Sequence, residues 1–418
     1  MGSKLIYVRD RNRIIAGLVD DTGLVEVQVD RIEDESLLGN IYLGKVKNIV
    51  KNINSAFIEV EDKKMCYLAL SDVKTPVIAG NDHPGKLRVG DELIVQITRD
   101  SAKNKAPLAT SDFSLAGKYV VLVHGRKAIG ISQKIKDEAR RKRLKELMKP
   151  YLGDSYAFIV RTNAENAPDE LLEREIARLV NDYRQIVEYG VHWKCFSRLY
   201  STPPSYIWEI RDGYAEDIDE IKTDDDEIYA QLKDYLTENQ PEDIGKLVKY
   251  EDKEYSLAKL YGIMDKLEKA TYERVWLDSG AYLVIQPTEA LTVIDVNTGK
   301  AISGKTVPEE TFLNVNMEAA DEIARQIRLR NLSGIIIVDF IDMVSEANKK
   351  SLLKHLYNIL SKDRIPTKLV DMTGLNLVEI TRKKIRKPLA EQIADADKGN
   401  DEKESGKSAK ADRKSTEG

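Results

Sequence analysis

The sequence predicts a multidomain protein of mixed α+β and α/β class, and three patterns lead to this prediction. Two apolar, β-branched runs, residues 291–299 and 334–343, flank a helix-patterned stretch at residues 309–330, as parallel strands flank a crossover helix. Short strands separated by Gly and Asp turns fill residues 39–97, which is typical of a small closed barrel. The length of 418 residues is enough for about two to four domains.

The remaining segments differ in pattern along the chain. Residues 4–36 alternate as strands do, residues 118–200 mix strand and helix, and residues 206–275 are acidic and mixed. After Leu389 the composition is mainly Ala, Asp, Glu, Lys, Ser and Gly without periodicity. We therefore expect residues 389–418 to be disordered.

The charge balance excludes a globally basic nucleic-acid-binding protein. The net charge is −5 at pH 7, so any surface that binds nucleic acid must be local. The N-terminus lacks a signal-peptide pattern, and no apolar run approaches the roughly 20 residues needed to span a bilayer. We therefore expect a cytoplasmic protein without a membrane span.

Each of the two apolar runs ends on polar side chains. Asp295 and Asn297 are two residues apart, so in a strand they face the same side. Asp339 ends the second run, and Asp342 follows three residues later. Parallel strands would bring these acids to one edge of the sheet. Mg²⁺ prefers one or two carboxylates plus water, with phosphate oxygens completing its shell, although acids that merely cap turns fit the pattern equally well.

A second motif overlaps the same region. Gly299–Thr306 fits the P-loop expression G-x-x-x-x-G-K-[ST] and follows a strand, and residues 335–339 could be the acidic partner strand. In a P-loop the helix begins at the Lys-Thr pair. Here Val307 and Pro308 follow that pair, and Pro308 is typical of the first residue of a later helix. A P-loop nucleotidase is therefore an alternative function.

Two further patterns are those of RNA-binding sites. Phe57 and Tyr67 in the barrel, together with Lys105, suit the stacking of single-stranded bases beside a cation; both aromatics fit a core role as well. Arg161 and Thr162 end a strand and could grip a phosphate, or could form a surface ion pair. A non-catalytic RNA-binding protein is thus a further alternative.

The cysteine and basic-residue patterns are less specific. Cys66 and Cys195 are far apart in sequence and form no CxxC, which argues against a disulfide framework or a zinc cluster. The basic cluster at residues 382–387 could follow an RNA backbone or form a solvated helix end.

Taken together, these segments resemble the ribonuclease E/G family over nearly the whole chain, up to about Leu389. The most specific match is NVNMEAADEIARQIRLR at residues 314–330, which lies between the two acids and runs into residues 334–343. Shorter matches are GNIY at residues 39–42, SLAG at 114–117, VRT at 160–162 and LVEITRK at 377–383.

The resemblance implies an RNase H-like subdomain in two parts, residues 1–38 and 206–279. An S1-type OB domain that binds RNA would be inserted at residues 39–117. A subdomain that senses a 5′-phosphate would follow at residues 118–205. A DNase I-like catalytic subdomain would occupy residues 280–388.

The resemblance also implies an activity. Family members are Mg²⁺-dependent endoribonucleases that cut single-stranded, A/U-rich RNA into products with a 5′-phosphate and a 3′-hydroxyl. They prefer 5′-monophosphorylated RNA and act in rRNA processing and RNA decay. The partners would thus be single-stranded RNA and rRNA precursors. In this chain Asp295 and Asp339 would hold Mg²⁺, and Asn297 would assist at the scissile phosphate.

Two binding sites follow from the same resemblance. The residues that would clamp RNA onto the catalytic face are Phe57, Tyr67 and Lys105. The residues that would receive a 5′-monophosphate are Gly117 and Val121, through their backbones, with Arg161 and Thr162.

The chain departs from the family pattern in three respects. No CxxC follows the catalytic region, so we expect no structural Zn²⁺, and a homodimer would have to form without a zinc link. An arginine that backs the phosphate pocket in some members aligns with Pro366, where Arg364 or Lys368 could substitute. The long acidic scaffold of larger members is missing, so the chain resembles the short, ribonuclease G-like form.

Overall fold

The computed structural model describes residues 2–32, 36–80, 87–100, 106–213, 218–300 and 309–397. The chain forms two compact units of mixed α+β structure. The first unit comprises Met1–Asp34, Glu216–Asp234 and Glu242–Gly418, and the second comprises Glu35–Ala215 and Tyr235–Pro241. Strands and helices are numbered below in chain order.

One sheet of the first unit combines strands from distant parts of the chain. Its five strands lie in the order β15-β14-β1-β2-β3. Their bounds are Ser3–Asp10 (β1), Arg13–Asp20 (β2), Gly23–Arg31 (β3), Ile218–Thr223 (β14) and Leu247–Lys249 (β15). Helices α5 (Leu257–Leu260) and α6 (Ile263–Lys269) contribute Leu257, Ile263 and Leu267 to the core on this sheet. The N-terminal strands therefore share a sheet with strands from residues 218–249.

The other sheet of the first unit carries the two predicted acidic strands. Its six strands lie in the order β16-β17-β18-β19-β21-β20. Their bounds are Arg274–Trp276 (β16), Tyr282–Pro287 (β17), Leu291–Asn297 (β18), Gly334–Asp339 (β19), Thr367–Met372 (β20) and Leu377–Arg382 (β21). Strands β18 and β19 are parallel, as the strand–helix–strand pattern predicts.

Helices α7 (Glu309–Leu329) and α8 (Glu346–Leu360) cover one face of this six-stranded sheet. The covered face is built from every second strand residue, including Ile294, Val296, Ile336 and Val338, because side chains alternate along a strand. These residues pack with Ala319, Ile323 and Leu356 of the two helices. The alternate residues, among them the predicted acids, therefore lie on the opposite face.

The second unit contains the predicted barrel. Strand β4 (Ile41–Val50) pairs with both β5 (Ser55–Glu59) and β7 (Glu92–Arg99). Strands β6 (Met65–Ala69) and β8 (Leu108–Thr110) complete the circle, and β13 (Arg198–Tyr200) adds to the outside of β4. This closed barrel of five strands is consistent with an OB fold and confirms the prediction from residues 39–97.

A smaller sheet follows in the second unit, in the order β11-β12-β10-β9. Its strands are Ser114–Ala116 (β9), Val120–His124 (β10), Gly130–Ile131 (β11) and Tyr156–Val160 (β12). Helices α1 (Glu138–Met148) and α2 (Asp169–Arg184) pack on it through Leu144, Leu172, Ile176 and Leu179. Two further helices of the chain are α3 (Trp208–Asp212) and α4 (Asp226–Asn239).

The prediction that residues 389–418 are disordered is wrong for residues 389–397, which form a further helix, α9. Leu389 and Ala396 are buried in the core of the first unit, with Ile393 packed beside them. These residues follow the i, i+4, i+7 spacing of a helix face, but two turns are too short to stand out in a polar segment. Residues 398–418 lie outside the described residues. Among the described helices, none is long and apolar enough to cross a membrane.

Candidate active site

Asp295 and Asp339 face each other across two parallel strands. They are register partners, Asp339 at the end of β19 and Asp295 two residues before the end of β18, and adjacent strands lie about 4.8 Å apart. The pKa of Asp339 is raised, first by partial burial and then by the negative charges of Asp295 and Asp342. The fold therefore brings together the acids that the sequence pattern placed at one sheet edge.

Asn297 orients one of these carboxylates. It lies two residues after Asp295 on the same face of β18, and its Nδ2 donates a hydrogen bond of 2.7 Å to Asp295 Oδ2. This bond holds the Asp295 side chain in one orientation, which is what a metal-binding carboxylate requires.

The chain after Asp339 is held by a buried asparagine that sequence reasoning missed. Asn316 of α7 is fully buried. Its Oδ1 accepts a bond from Ile341 N at 3.0 Å, and its Nδ2 donates to Ile341 O at 2.8 Å. The sequence did contain a signal for this residue, because Asn316 is a polar side chain on the apolar face of α7. Both backbone groups of Ile341 are thereby fixed between the two acids Asp339 and Asp342.

A second asparagine holds Asp342. Asn376 Nδ2 donates to Asp342 Oδ1 at 3.1 Å, and Lys349 Nζ of α8 donates to Asn376 Oδ1 at 3.1 Å. The hydrogen-bond chain from Lys349 through Asn376 thus sets the position of the third acid near the pair.

The donor set suits a hard cation such as Mg²⁺. Carboxylate oxygens of Asp295 and Asp339 are hard ligands, and a cation that keeps several waters needs only one or two of them. Like charges held this close are relieved by a bound cation. The described residues contain no group of three or more His, Cys, Asp or Glu side chains that could hold a metal, so a cation at this place would be held by the two carboxylates and would keep several waters.

The two barrel aromatics lie on the outside of the barrel. Phe57 and Tyr67 are register partners on β5 and β6, with ring centroids 6.1 Å apart in an edge-to-face arrangement. Both rings are half-buried, whereas Ile58 and Leu68 beside them point into the barrel core. They are therefore available on the surface rather than part of the core. Lys105, the predicted cation, lies outside the described residues.

Arg161 is the centre of the predicted phosphate site. It follows β12, and its Nη1 donates to Gly117 O at 2.8 Å and to Asp212 Oδ1 at 2.7 Å. Arg211 binds the same carboxylate through two nitrogens, at 2.8 and 3.0 Å. Burial would raise the pKa of Asp212, but Arg211 and Arg161 outweigh it and hold that pKa far below its usual range.

The other predicted phosphate ligands are positioned differently. Thr162 Oγ1 hydrogen-bonds Ser132 Oγ at 3.0 Å. Val121 lies in the middle of β10, in register with Ala116 on one side and Ile159 on the other. A residue paired on both sides directs its backbone groups into the sheet. Arg161 and Thr162 thus follow the end of β12, whereas Val121 lies within the sheet.

A buried glutamate beside this site was not predicted. Glu175 of α2 accepts hydrogen bonds from the backbone N–H groups of Lys118, Tyr119 and Val120, at 2.7, 2.8 and 2.8 Å. A Cβ at Gly117 would come within 2.3 Å of the Glu175 carboxyl carbon. Glycine is therefore required here, and the carboxylate fixes the turn before β10. The only sequence signal was an acid at a core position of an amphipathic helix.

Two basic residues considered from the sequence have structural roles. Arg364 forms an ion pair with Glu26 at 2.5 Å in the first unit. Arg382, the first residue of the basic cluster, is buried on β21 and donates to Asp363 Oδ2 at 2.7 Å. Its guanidinium holds the fold and is not positioned to follow an RNA backbone.

The P-loop motif lies mostly beyond the described structure. Residues 301–308 lie outside the described residues. Gly299 has φ +53°, and a Cβ there would come 2.3 Å from Gly280 O. Lys300 N donates to the same oxygen at 3.1 Å, so the chain leaving β18 turns tightly against the segment before β17.

Comparison with known proteins matches the chain to one family. The model of the Ribonuclease E/G family matches residues 114–385. The chain is 32% identical over 394 residues to Ribonuclease G of Haemophilus influenzae, covering 92% of this chain and 80% of that protein. It is 33% identical over 381 residues to Ribonuclease G of Escherichia coli strain K12, covering 89% and 78%. It is 32% identical over 368 residues to Ribonuclease E of a Nostoc species, covering 86% and 53%.

The matched residues contain the six-stranded sheet, both acids and the predicted phosphate site around Arg161. The family model covers well over half of the chain, and the relatives cover nearly all of it. The chain therefore belongs to the ribonuclease E/G family.

Proposed function

We propose that this protein is an Mg²⁺-dependent endoribonuclease that hydrolyses single-stranded, A/U-rich RNA into products with a 5′-phosphate and a 3′-hydroxyl. Its relatives are named as ribonucleases G and E. The observation that carries the proposal is the register pair of Asp295 and Asp339 on parallel strands. Two oxygen ligands on an open sheet face suit a hydrated divalent cation and a phosphodiester substrate.

Asp295 and Asp339 would hold the Mg²⁺. When bound, this ion lowers the pKa of a bound water and neutralises negative charge on the phosphate. Asn297 fixes the Asp295 carboxylate through one amide N–H, and its second N–H is a donor suited to a phosphate oxygen. Asn316 fixes the backbone that follows Asp339, so the ligand does not have to be ordered when substrate binds.

Phe57 and Tyr67 would bind bases on the barrel surface. Their rings are half-buried on the outer face, and stacking on aromatic rings is a general way to hold unpaired bases. Lys105 would supply a cation for the RNA backbone in the same clamp. Stacking tolerates any base, so a preference for A/U-rich RNA would reflect weaker pairing and greater single-strand character rather than a base code.

Arg161 and Thr162 would recognise a 5′-monophosphate. A phosphate carries more negative charge than the Asp212 carboxylate with which Arg161 is now paired, so it can compete for the guanidinium. Gly117 and Val121 would contribute through their backbones, and the Gly117 carbonyl also orients Arg161. This arrangement would favour RNA whose 5′ end is a monophosphate over RNA that ends in a hydroxyl.

The proposed function goes with a proposed division into subdomains. We assign residues 1–38 and 206–279 to an RNase H-like part, 39–117 to an S1-type domain, 118–205 to the phosphate sensor and 280–388 to a DNase I-like part. The shared sheet of β1–β3 with β14 and β15 supports the first of these. Substrates would include rRNA precursors and decaying RNA. The enzyme would act in the cytoplasm, and a homodimer would form without zinc.

A cleavage assay on a 5′-monophosphorylated A/U-rich oligonucleotide tests the proposal. Wild-type protein should cut it with Mg²⁺ and not with EDTA, whereas Asp295→Asn should lose cleavage and keep RNA binding. Asp371→Asn, on the edge strand β20 of the same sheet, is the matched control and should cut normally. Cleavage in EDTA, or a normal rate for Asp295→Asn, would show that the metal assignment is wrong.

A further inference from the structure

The open face of the six-stranded sheet carries more than the acids. Trp276 on β16 is the register partner of Tyr282 on β17, and Tyr282 is the register partner of Asn297 on β18. Directly opposed residues of paired strands project to the same face. A single row across three strands therefore runs from Trp276 to Asn297.

A second row runs beside the first. Arg274 is the register partner of Val284, which is the partner of Asp295, which in turn is the partner of Asp339. Arg274 and Trp276 are two residues apart on β16, as Asp295 and Asn297 are on β18, so both rows share one face. The side chains at the β16 end of this face thus look onto the same solvent region as the acids.

Three of these side chains pack against one another. The Trp276 and Tyr282 rings have centroids 5.1 Å apart at an angle of 55°. The Arg274 guanidinium lies 4.5 Å from the Tyr282 centroid and 5.8 Å from the Trp276 centroid. Such cation–π contacts restrain both the rings and the cation. The three form a rigid group that we call the Trp276 platform (Arg274, Trp276 and Tyr282).

The platform leaves a large apolar surface in water. Trp276 is 59% exposed, and a tryptophan is normally buried over most of its area. The ring is already ordered by Tyr282 and Arg274, so a ligand that covers it loses little side-chain entropy on binding. An ordered and exposed indole beside a guanidinium is a surface suited to a flat, apolar ligand that carries negative charge.

We propose that the Trp276 platform binds a nucleobase of the RNA strand next to the scissile phosphate, an inference that rests on the proposed nuclease function of Asp295 and Asp339. Strand β16 lies two strands from β18, or about 10 Å across the sheet, which neighbouring nucleotides of an extended strand span. The base stacks on the indole, and Arg274 attracts the adjoining phosphate.

Charge and register favour RNA over a protein partner as the occupant. The acids at the other end of the face repel a polyanion, and Arg274 offsets this repulsion at the point where the strand would leave the metal site. A protein seated on Trp276 would also cover the face that carries Asp295 and Asn297, and would compete with the substrate. The platform is therefore a subsite of the nuclease rather than a separate docking surface.

The test compares Trp276→Ala with Trp276→Phe, which keeps a ring. The control is Tyr357→Ala, an equally exposed aromatic on α8, the helix layer that covers the opposite face of the sheet. KM and kcat are measured with Mg²⁺, and RNA binding is measured in EDTA by the anisotropy of a labelled single-stranded oligonucleotide. We expect about a tenfold rise in KM and in the dissociation constant for Trp276→Ala, recovery in Trp276→Phe and no change in the control.

A set of substrates identifies the base that is bound. One base at a time is removed near the cut bond, leaving the sugar and phosphate in place. Wild-type protein should bind one of these abasic substrates about tenfold more weakly, and Trp276→Ala should bind it no more weakly than the intact RNA. This loss of sensitivity at one position assigns the platform to that base.

Three results would overturn the proposal. The first is an unchanged KM and an unchanged dissociation constant in Trp276→Ala. The second is that Trp276→Ala binds every abasic substrate more weakly than intact RNA by the same factor as wild-type protein. A changed oligomeric state by sedimentation, with unchanged binding, would assign Trp276 to a protein interface. If wild-type protein shows no Mg²⁺-dependent cleavage, the nuclease proposal fails separately, and the anisotropy comparison in EDTA still decides whether the platform binds RNA.

Discussion

Asp295 and Asp339 are direct neighbours on parallel strands, although a 21-residue helix lies between them in the chain. Two carboxylates placed side by side destabilise a sheet, because like charges on opposed residues repel. A cation bound between the two carboxylates would remove this repulsion.

Asp339→Asn should abolish cleavage without lowering the stability of the metal-free protein. The change removes the repulsion between Asp339 and its neighbouring carboxylates. This repulsion costs less than about 1 kcal/mol, because Asp339 is exposed to solvent. Mg²⁺ should raise the melting temperature of wild-type protein and leave that of Asp339→Asn unchanged. An equal response to Mg²⁺ in both proteins would remove Asp339 from the metal site.

Arg161→Gln should narrow the rate ratio between 5′-monophosphate and 5′-hydroxyl substrates. A charge-assisted bond to the phosphate would be lost, which corresponds to a change of about tenfold in the ratio. The control is Arg143→Gln, which also breaks an arginine–aspartate pair, at Asp169. If the ratio stays at its wild-type value in Arg161→Gln, the phosphate sensor lies elsewhere.

Asn316→Ala should reduce both stability and kcat. The buried N–H and C=O of Ile341 would lose their partners, at a cost of about 2–4 kcal/mol for the two groups. The loop that follows Asp339 would loosen, so kcat should fall while RNA binding in EDTA stays near normal. Urea unfolding and steady-state kinetics measure the two effects. Normal kcat in a destabilised variant would limit Asn316 to a structural role.

Glu175→Gln should destabilise the second unit by about 3 kcal/mol, because an amide cannot accept three backbone N–H bonds as a carboxylate does. Glu173→Gln, on the exposed side of the same helix, should change stability little. The rate ratio between 5′-monophosphate and 5′-hydroxyl substrates should also fall in Glu175→Gln. The turn that loses its hydrogen bonds lies next to Gly117 and Arg161. Urea unfolding and the two substrates provide the measurements, and an unchanged unfolding midpoint would contradict the assigned contacts.

His124 should make the second unit less stable in mild acid. Its imidazole is buried against Tyr183 Oη and Thr75 O, each at 2.7 Å, and burial lowers its pKa, with the Thr75 carbonyl and the Asp112 charge opposing that shift. The unfolded chain therefore takes up the proton first, at a pKa of about 6.5. The free energy of unfolding should be highest above that pH and fall below it.

Urea unfolding from about pH 5 to pH 8 measures this dependence. His124→Phe keeps a ring beside Phe113, on which His124 stacks at 4.7 Å, and cannot take up a proton. The free energy of unfolding of His124→Phe should be lower than that of wild-type protein above pH 6.5. Its decrease toward acid pH should lack the contribution of His124. Equal slopes in the two proteins would show that His124 does not titrate between the folded and unfolded states.

Local patterns were enough to predict several elements. The β-branched runs at β18 and β19 and the amphipathic stretch at α7 predict their own structure, because side-chain periodicity follows backbone geometry. Parallel strands then follow from the helix between them, and with them the meeting of Asp295 and Asp339. Alternation along β5 and β6 likewise predicts that Phe57 and Tyr67 share one face. It does not predict whether that face is the core or the surface of the barrel.

The sequence by itself determined the acidic pair, the barrel and the family, since each rests on a contiguous segment with a period or motif of its own. Only the tertiary structure decided that Asp212 pairs with Arg161 and that Glu175 binds the turn after Gly117. It also decided that Asn316 hydrogen-bonds Ile341 and that Trp276 shares a face with Asn297. These pairs come from distant segments, and each is formed by burial and hydrogen bonding after the elements pack. No local pattern records such contacts, because their energy depends on which elements become neighbours.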